Sequence, residues 1–97
     1  MFLFQIEGGI MKFYYDLPDA PLMYGDKGMQ VDRLQWCLDH ALGLTKRKRT
    51  AYKEAGRYGR WTETNVAYFQ TQQGIKCSGV FDHWTRAKLR EVLENDN

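Results

Sequence analysis

The sequence predicts an all-α fold, a compact bundle of three short helices behind an irregular N-terminal segment. Two observations carry this expectation. Apolar residues recur at three- and four-residue steps in three separate stretches, which is the period of a helix with one buried face. One phrase is also written twice, 23 residues apart: Gly56-Arg57-Tyr58-Gly59-Arg60-Trp61-Thr62 and Gly79-Val80-Phe81-Asp82-His83-Trp84-Thr85. Each copy reads Gly, any residue, aromatic, Gly or Asp, any residue, Trp, Thr, then an apolar residue one helical turn on (Val66 or Leu89). Turn-forming residues flank an aromatic, and Thr stands where its hydroxyl can cap a helix start. The phrase is a turn that launches a helix, and its recurrence marks a repeated supersecondary unit.

Each element follows in chain order. Residues 1–21 form an N-terminal extension, broken by Gly8-Gly9 and closed by Asp16-Leu17-Pro18-Asp19-Ala20-Pro21. Residues before proline avoid the helical region, so this stretch reads as an extended approach, packed in part on the domain and mobile at its start. The domain proper is expected over 22–97. Tyr24-Gly25-Asp26-Lys27-Gly28 is a tight turn. The first helix, Met29 to Leu42, carries Val31, Leu34, Leu38, Ala41 and Leu42 on one stripe and stops at Gly43. Leu44 to Ala55 is a basic connection with helical turns near Thr50. The second helix, Thr62 to Gly74, presents Val66, Phe69 and Gln73. The third, Trp84 to Leu93, presents Ala87, Leu89, Val92 and Leu93, and a polar tail follows.

Composition bounds the function. A chain of 97 residues is one small domain. It contains no apolar run near the ~20 residues that span a bilayer. Met1 to Ile6 lacks the basic lead and cleavage site of a signal peptide, so action at an exterior surface implies a phage protein or part of a larger chain. The net charge of +2 conceals a cluster: Lys46, Arg47, Lys48, Arg49, Lys53, Arg57 and Arg60 crowd one segment, with Glu54 the one carboxylate among them. Cys37 and Cys77 are too far apart in sequence for a metal knuckle, so no metal or other cofactor is expected. Both read as free thiols, Cys37 on a packing face.

The quoted residues resemble the peptidoglycan-binding module with a three-helix core found beside cell-wall hydrolases of bacteria and phage endolysins. Gly28, Val31, Leu34-Gln35 and Leu38 are similar to its first signature. Gly56, Tyr58-Gly59, Thr62, Val66 and Phe69-Gln70 resemble the second. Gly74-Ile75, Gly79-Val80-Phe81-Asp82, Thr85 and Leu89 resemble the third. The three lie in the family's order over about Leu22 to Leu93. The chain departs from the pattern in its longer, more basic connection and in Asp82, where Gly is common. The resemblance implies a non-catalytic module that binds peptidoglycan and brings a hydrolase domain or phage structural protein to the wall.

Candidate site residues follow. Trp61 and Trp84 hold equivalent places; they either close the core or offer a ring face to sugar or peptide. Tyr58 and Phe81 lie between turn residues, where a plugged-in ring anchors the turn; Tyr58 is also a candidate ligand contact. Gln35 and Gln70 follow core residues and are expected to hydrogen-bond turn backbone. Arg57, Arg60 and Asp82 suit the carboxylates and amines of peptidoglycan stems, since Arg holds a carboxylate with two parallel bonds. General acid–base work needs a positioned titratable pair in a cleft, and Asp82-His83, adjacent in a turn, is not one. The chain is therefore read as no enzyme. Two other classes compete: contact with an anionic polymer or nucleic acid through Lys46, Arg47, Lys48 and Arg49, and a protein-docking role in a phage assembly. Nucleic acid ranks below the wall, because no helix presents base-reading residues on one face.

Overall fold

The computed structural model describes the backbone of residues 2–7, 10–15 and 17–95 and the side chains from residue 17 onward, that of Lys46 excepted. Part of the N-terminal expectation therefore falls outside the described residues, as do Asp96 and Asn97.

Two antiparallel strands come first, β1 (Phe2–Glu7) and β2 (Ile10–Tyr15), with Phe2 opposite Tyr15 and Glu7 opposite Ile10. The expectation of an irregular segment is thus corrected: the stretch pairs as a hairpin. Four helices follow: α1 (Met29–Leu42), α2 (Thr50–Lys53), α3 (Arg60–Gln72) and α4 (His83–Glu94). A 3-10 turn at Lys46–Lys48 precedes α2. The fold is helical as expected, but the basic connection adds a fourth, single-turn helix to the three long ones.

The core lies where α1, α3 and α4 meet. Val31, Leu34, Cys37 and Leu38 enter from α1, Val66 and Phe69 from α3, and Leu89 from α4. Tyr58 and Phe81, one from each turn phrase, complete it, each almost fully buried. Cys37 is buried and Cys77 exposed, and they form no disulfide with each other. Helices α1 and α3 end in the same way. Leu44 N–H reaches Asp39 C=O and Gly43 N–H reaches His40 C=O; Ile75 N–H reaches Gln70 C=O and Gly74 N–H reaches Thr71 C=O. This paired closure needs a left-handed residue, and Gly43 and Gly74 supply it at φ 63° and 70°.

The stretch before α1 laces the two phrases together. Leu22 exchanges both backbone hydrogen bonds with Phe81, and Lys27 stands opposite Arg57 in a second antiparallel bridge. The Tyr58 hydroxyl donates to the Gly79 carbonyl, joining the turns directly. Arg86 donates from Nε to the Pro18 carbonyl, and Gln30 Oε1 accepts from the Asp19 amide, so the approach is tied to the bundle.

Candidate functional site

The two turn phrases share three hydrogen bonds to a buried glutamine, at Gly56 or Gly79 N–H, Arg57 or Val80 C=O and the Thr62 or Thr85 hydroxyl. Gln35 Oε1 accepts from Gly56 N–H at 2.8 Å, and its Nε2 reaches the carbonyls of Glu54 and Arg57 and the hydroxyl of Thr62. Gln70 Oε1 accepts from Gly79 N–H at 2.9 Å and from Ser78 N–H, and its Nε2 reaches the carbonyl of Val80 and the hydroxyls of Thr85 and Ser78. Each glutamine thus sits at the end of a core stripe and clamps a turn from inside. Both are fully buried, which is tolerable only because their polar atoms find partners. The sequence reading anticipated this role.

The helix starts differ from expectation. Thr62 and Thr85 are not the caps; Gly59 and Asp82 are, and each Thr lies in the first turn, buried. Asp82 caps α4 by accepting from the amide and hydroxyl of Thr85 at 2.8 and 2.7 Å. Gly59 has no side chain for this, and Glu54 supplies the carboxylate from across the loop. Its Oε1 accepts from the amides of Gly59 and Thr62 and the hydroxyl of Thr62, and its Oε2 from the Trp61 amide. In the same manner Asp39 of α1 caps α2, accepting from the Thr50 amide and hydroxyl and the Ala51 amide. Carboxylates at helix N-termini satisfy orphan donors and meet the positive end of the helix dipole.

These environments set the titration of the groups. Burial favours the neutral carboxyl of Asp82, but the hydroxyl and amide of Thr85 outweigh it and hold Asp82 below the ordinary carboxylate range. Burial dominates at Asp39 and raises it despite its three donors. Burial, reinforced by the nearby charge of Glu63, pushes the Tyr58 hydroxyl well above the ordinary tyrosine range.

The structure separates the proposed site residues. Tyr58 is 1% exposed, so its ring is an anchor, not a surface for ligand; this corrects its place among the candidate contacts. Trp84 is 78% exposed and Trp61 47% exposed, so neither closes the core. Trp84 lines an open, largely apolar groove with Ile75, Lys76 and Asp82. At the first turn the Lys53 ammonium lies 4.9 Å from the centre of the Trp61 ring, a cation–π distance. Arg57 and Arg60 are exposed beside it, as are Arg47 and Lys48, while Arg49 donates to the Leu44 carbonyl. The Lys46 side chain lies outside the described residues. The equivalent positions in the second turn are Val80 and His83, so one frame carries a cationic surface at its first copy and an apolar one at its second. Ile75, Lys76 and Lys27 were missed as surface partners. The groove forms when the loop after α3 folds beside Trp84, which periodicity does not report. Trp36, 38% exposed on α1, was also passed over; it lines a small polar recess with Asp39, His40 and Arg49. Among the described residues no group of three His, Cys, Asp or Glu could hold a metal ion, and no helix is long and apolar enough to cross a membrane.

A family model described as a putative peptidoglycan binding domain matches residues 27–89, from the first turn to the last core residue of α4. The chain belongs to this peptidoglycan-binding domain family. The matched span contains both clamping glutamines, both turn phrases and the whole buried core. No curated protein matches the chain.

Proposed function

We propose that this peptidoglycan-binding domain works as a non-catalytic anchor whose ligand seat is the groove at the second turn. The observation that carries this reading is the setting of Trp84. Its ring is 78% exposed, yet it rises from a helix start fixed by Asp82, Thr85 and Gln70. A large aromatic held on a rigid frame offers apolar area with little conformational entropy left to lose on binding. A sugar ring or a lactyl-peptide stem packs on the indole and against Ile75. Lys76 answers a stem carboxylate and Asp82 a stem amine. On this reading the groove holds the wall, and cutting is left to a partner. Joined to a hydrolase or to a phage component, such a module raises the partner's effective concentration on an insoluble substrate.

Co-sedimentation with sacculi stripped of attached phosphate polymers tests this. Trp84→Ala is expected to lose about ten-fold in affinity, as loss of a central aromatic contact does, with its far-UV spectrum unchanged. Equal sedimentation of the variant and the parent chain would sink the groove assignment.

A further inference from the structure

The first turn carries a feature that the groove reading leaves unused. Lys27 and Arg57 stand directly opposite each other in an antiparallel bridge. The flanking bonds run from Gly28 N–H to Gly56 C=O and from Tyr58 N–H to Asp26 C=O, both 2.9 Å. That pattern identifies the pair as the non-hydrogen-bonded kind, in which facing side chains come closest and leave the ribbon on one side. Both residues are exposed and both are cations. Like charges placed this way repel and destabilise a ribbon.

The carboxylates nearest in sequence to the pair, Glu54 and Asp26, accept from backbone amides, and among the described residues neither forms an ion pair with Lys27 or Arg57. Glu54 has both oxygens on the N-terminus of α3. Asp26 has Oδ2 on the Met23 amide. Among the described residues the two ion pairs, Lys88–Glu91 and Arg90–Glu94, both lie on α4, away from this surface. The same segment of chain carries further exposed cations: Lys53, whose ammonium lies 4.9 Å from the centre of the Trp61 ring, and Arg47, Lys48 and Arg60.

We propose that the Lys27–Arg57 bridge and the adjoining α2 surface form a second binding site, separate from the Trp84 groove, for a phosphodiester-linked anionic polymer of the wall. A lone stem carboxylate would engage one cation. A chain of regularly spaced phosphates engages the facing pair and runs on to Lys53 and Arg60, relieving the repulsion built into the bridge. Neutralising phosphates releases counterions, so this site gives a salt dependence that an apolar groove does not.

This site rests on the wall-anchoring reading for its biological setting but is tested apart from it. Binding is measured to soluble poly(glycerol phosphate), and to sacculi with and without their phosphate polymers, across a salt series. The parent chain is expected to bind the soluble polymer at low salt. Removing the polymer from sacculi is expected to flatten the salt dependence. Lys27→Gln with Arg57→Gln is expected to weaken polymer binding on the order of ten-fold and to reduce its salt slope by roughly 1–2. The same variant retains binding to stripped sacculi, whereas Trp84→Ala loses that and keeps the polymer. No binding to poly(glycerol phosphate) at low salt would overturn the site, as would an unchanged slope in the folded double variant. Tighter binding to single-stranded DNA than to the wall polymer would overturn the choice of ligand.

Discussion

The carboxylate of Glu54 fills the space that a Cβ at residue 59 would occupy. A methyl built on Gly59 would overlap Oε2 and the carboxyl carbon of Glu54 and press on Oε1. The alternative of Gly or Asp at this place in the two phrases thus has a physical basis. Where Asp stands, it caps its own helix; where Gly stands, it makes room for a carboxylate from elsewhere. Gly59→Ala should expel Glu54 from four donors and destabilise the fold by about 2 kcal/mol, lowering Tm by roughly 10 °C. Gly59→Asp combined with Glu54→Ala recreates the Asp82 arrangement and should recover at least half of that loss. Calorimetry of the two variants beside the parent chain decides it. If Gly59→Ala melts with the parent chain, the cap has no energetic weight.

The glutamine clamps make a sharper demand. Gln35 and Gln70, both fully buried, each satisfy donors and acceptors of a turn. A methionine of similar volume fills the space but leaves those groups unpaired, at about 1–3 kcal/mol for each one stranded. Gln35→Met and Gln70→Met should therefore each cost on the order of 3 kcal/mol in urea unfolding. A smaller cost at Gln35 than at an exposed position such as Gln72 would contradict the clamp.

Tyr58 gives the fold an alkaline limit. In the unfolded chain its hydroxyl loses its proton near pH 10. In the folded chain burial holds the proton on well above that value. Above pH 10 the folded state thus binds more protons than the unfolded one, and stability falls as pH rises, by up to ~1.4 kcal/mol per pH unit. The contribution is fully present below pH 10. Tyr58→Phe loses the bond to Gly79 and is weaker at neutral pH, but its denaturant midpoint should fall less steeply between pH 10 and 11. Parallel slopes for the two proteins would show that the proton on Tyr58 is not linked to folding.

Acid acts on the other turn with the opposite sign. The Asp82 carboxyl is held below the ordinary range by Thr85, so its contribution is present above about pH 4 and is lost as pH falls through the lowered value. Asp82→Ala should cost about 1 kcal/mol at pH 7, the usual worth of such a cap. The gap between variant and parent should narrow steadily as acidification carries the pH through that lowered value. A gap that persists there would mean that Asp82 acts through packing and not as a charged cap.

These residues also show what the sequence could reveal. The bounds of α1 and the inward role of both glutamines were legible, because a periodic stripe and a buried amide have one local solution. Both tyrosine and phenylalanine anchors were legible for the same reason. The caps were not. Thr is a frequent cap, but here the decisive carboxylates come from Asp39 and Glu54, which reach their helices across loops whose path no local pattern encodes. The Lys27–Arg57 bridge was hidden likewise, since single pairings leave no period. The hairpin had a signal that went unread: two six-residue strands separated by Gly8-Gly9, the spacing and composition of a tight two-residue connection.

The two aromatics of the second turn divide between core and surface within four residues. Phe81 is fully buried between the strand-like approach at Leu22 and the core, while Trp84, one turn on, is 78% exposed. Phe81→Ala opens a cavity in a small core and should cost about 3–5 kcal/mol, enough to unfold much of a marginal domain. Trp84→Ala removes a ring that touches mostly water and should change stability by less than about 0.5 kcal/mol. An exposed tryptophan with no structural duty leaves apolar surface in water for some other reason, and ligand contact supplies one. The comparison is made by urea unfolding of both variants. If Trp84→Ala proves as damaging as Phe81→Ala, its ring belongs to the fold, and the groove loses the residue on which its binding role depends.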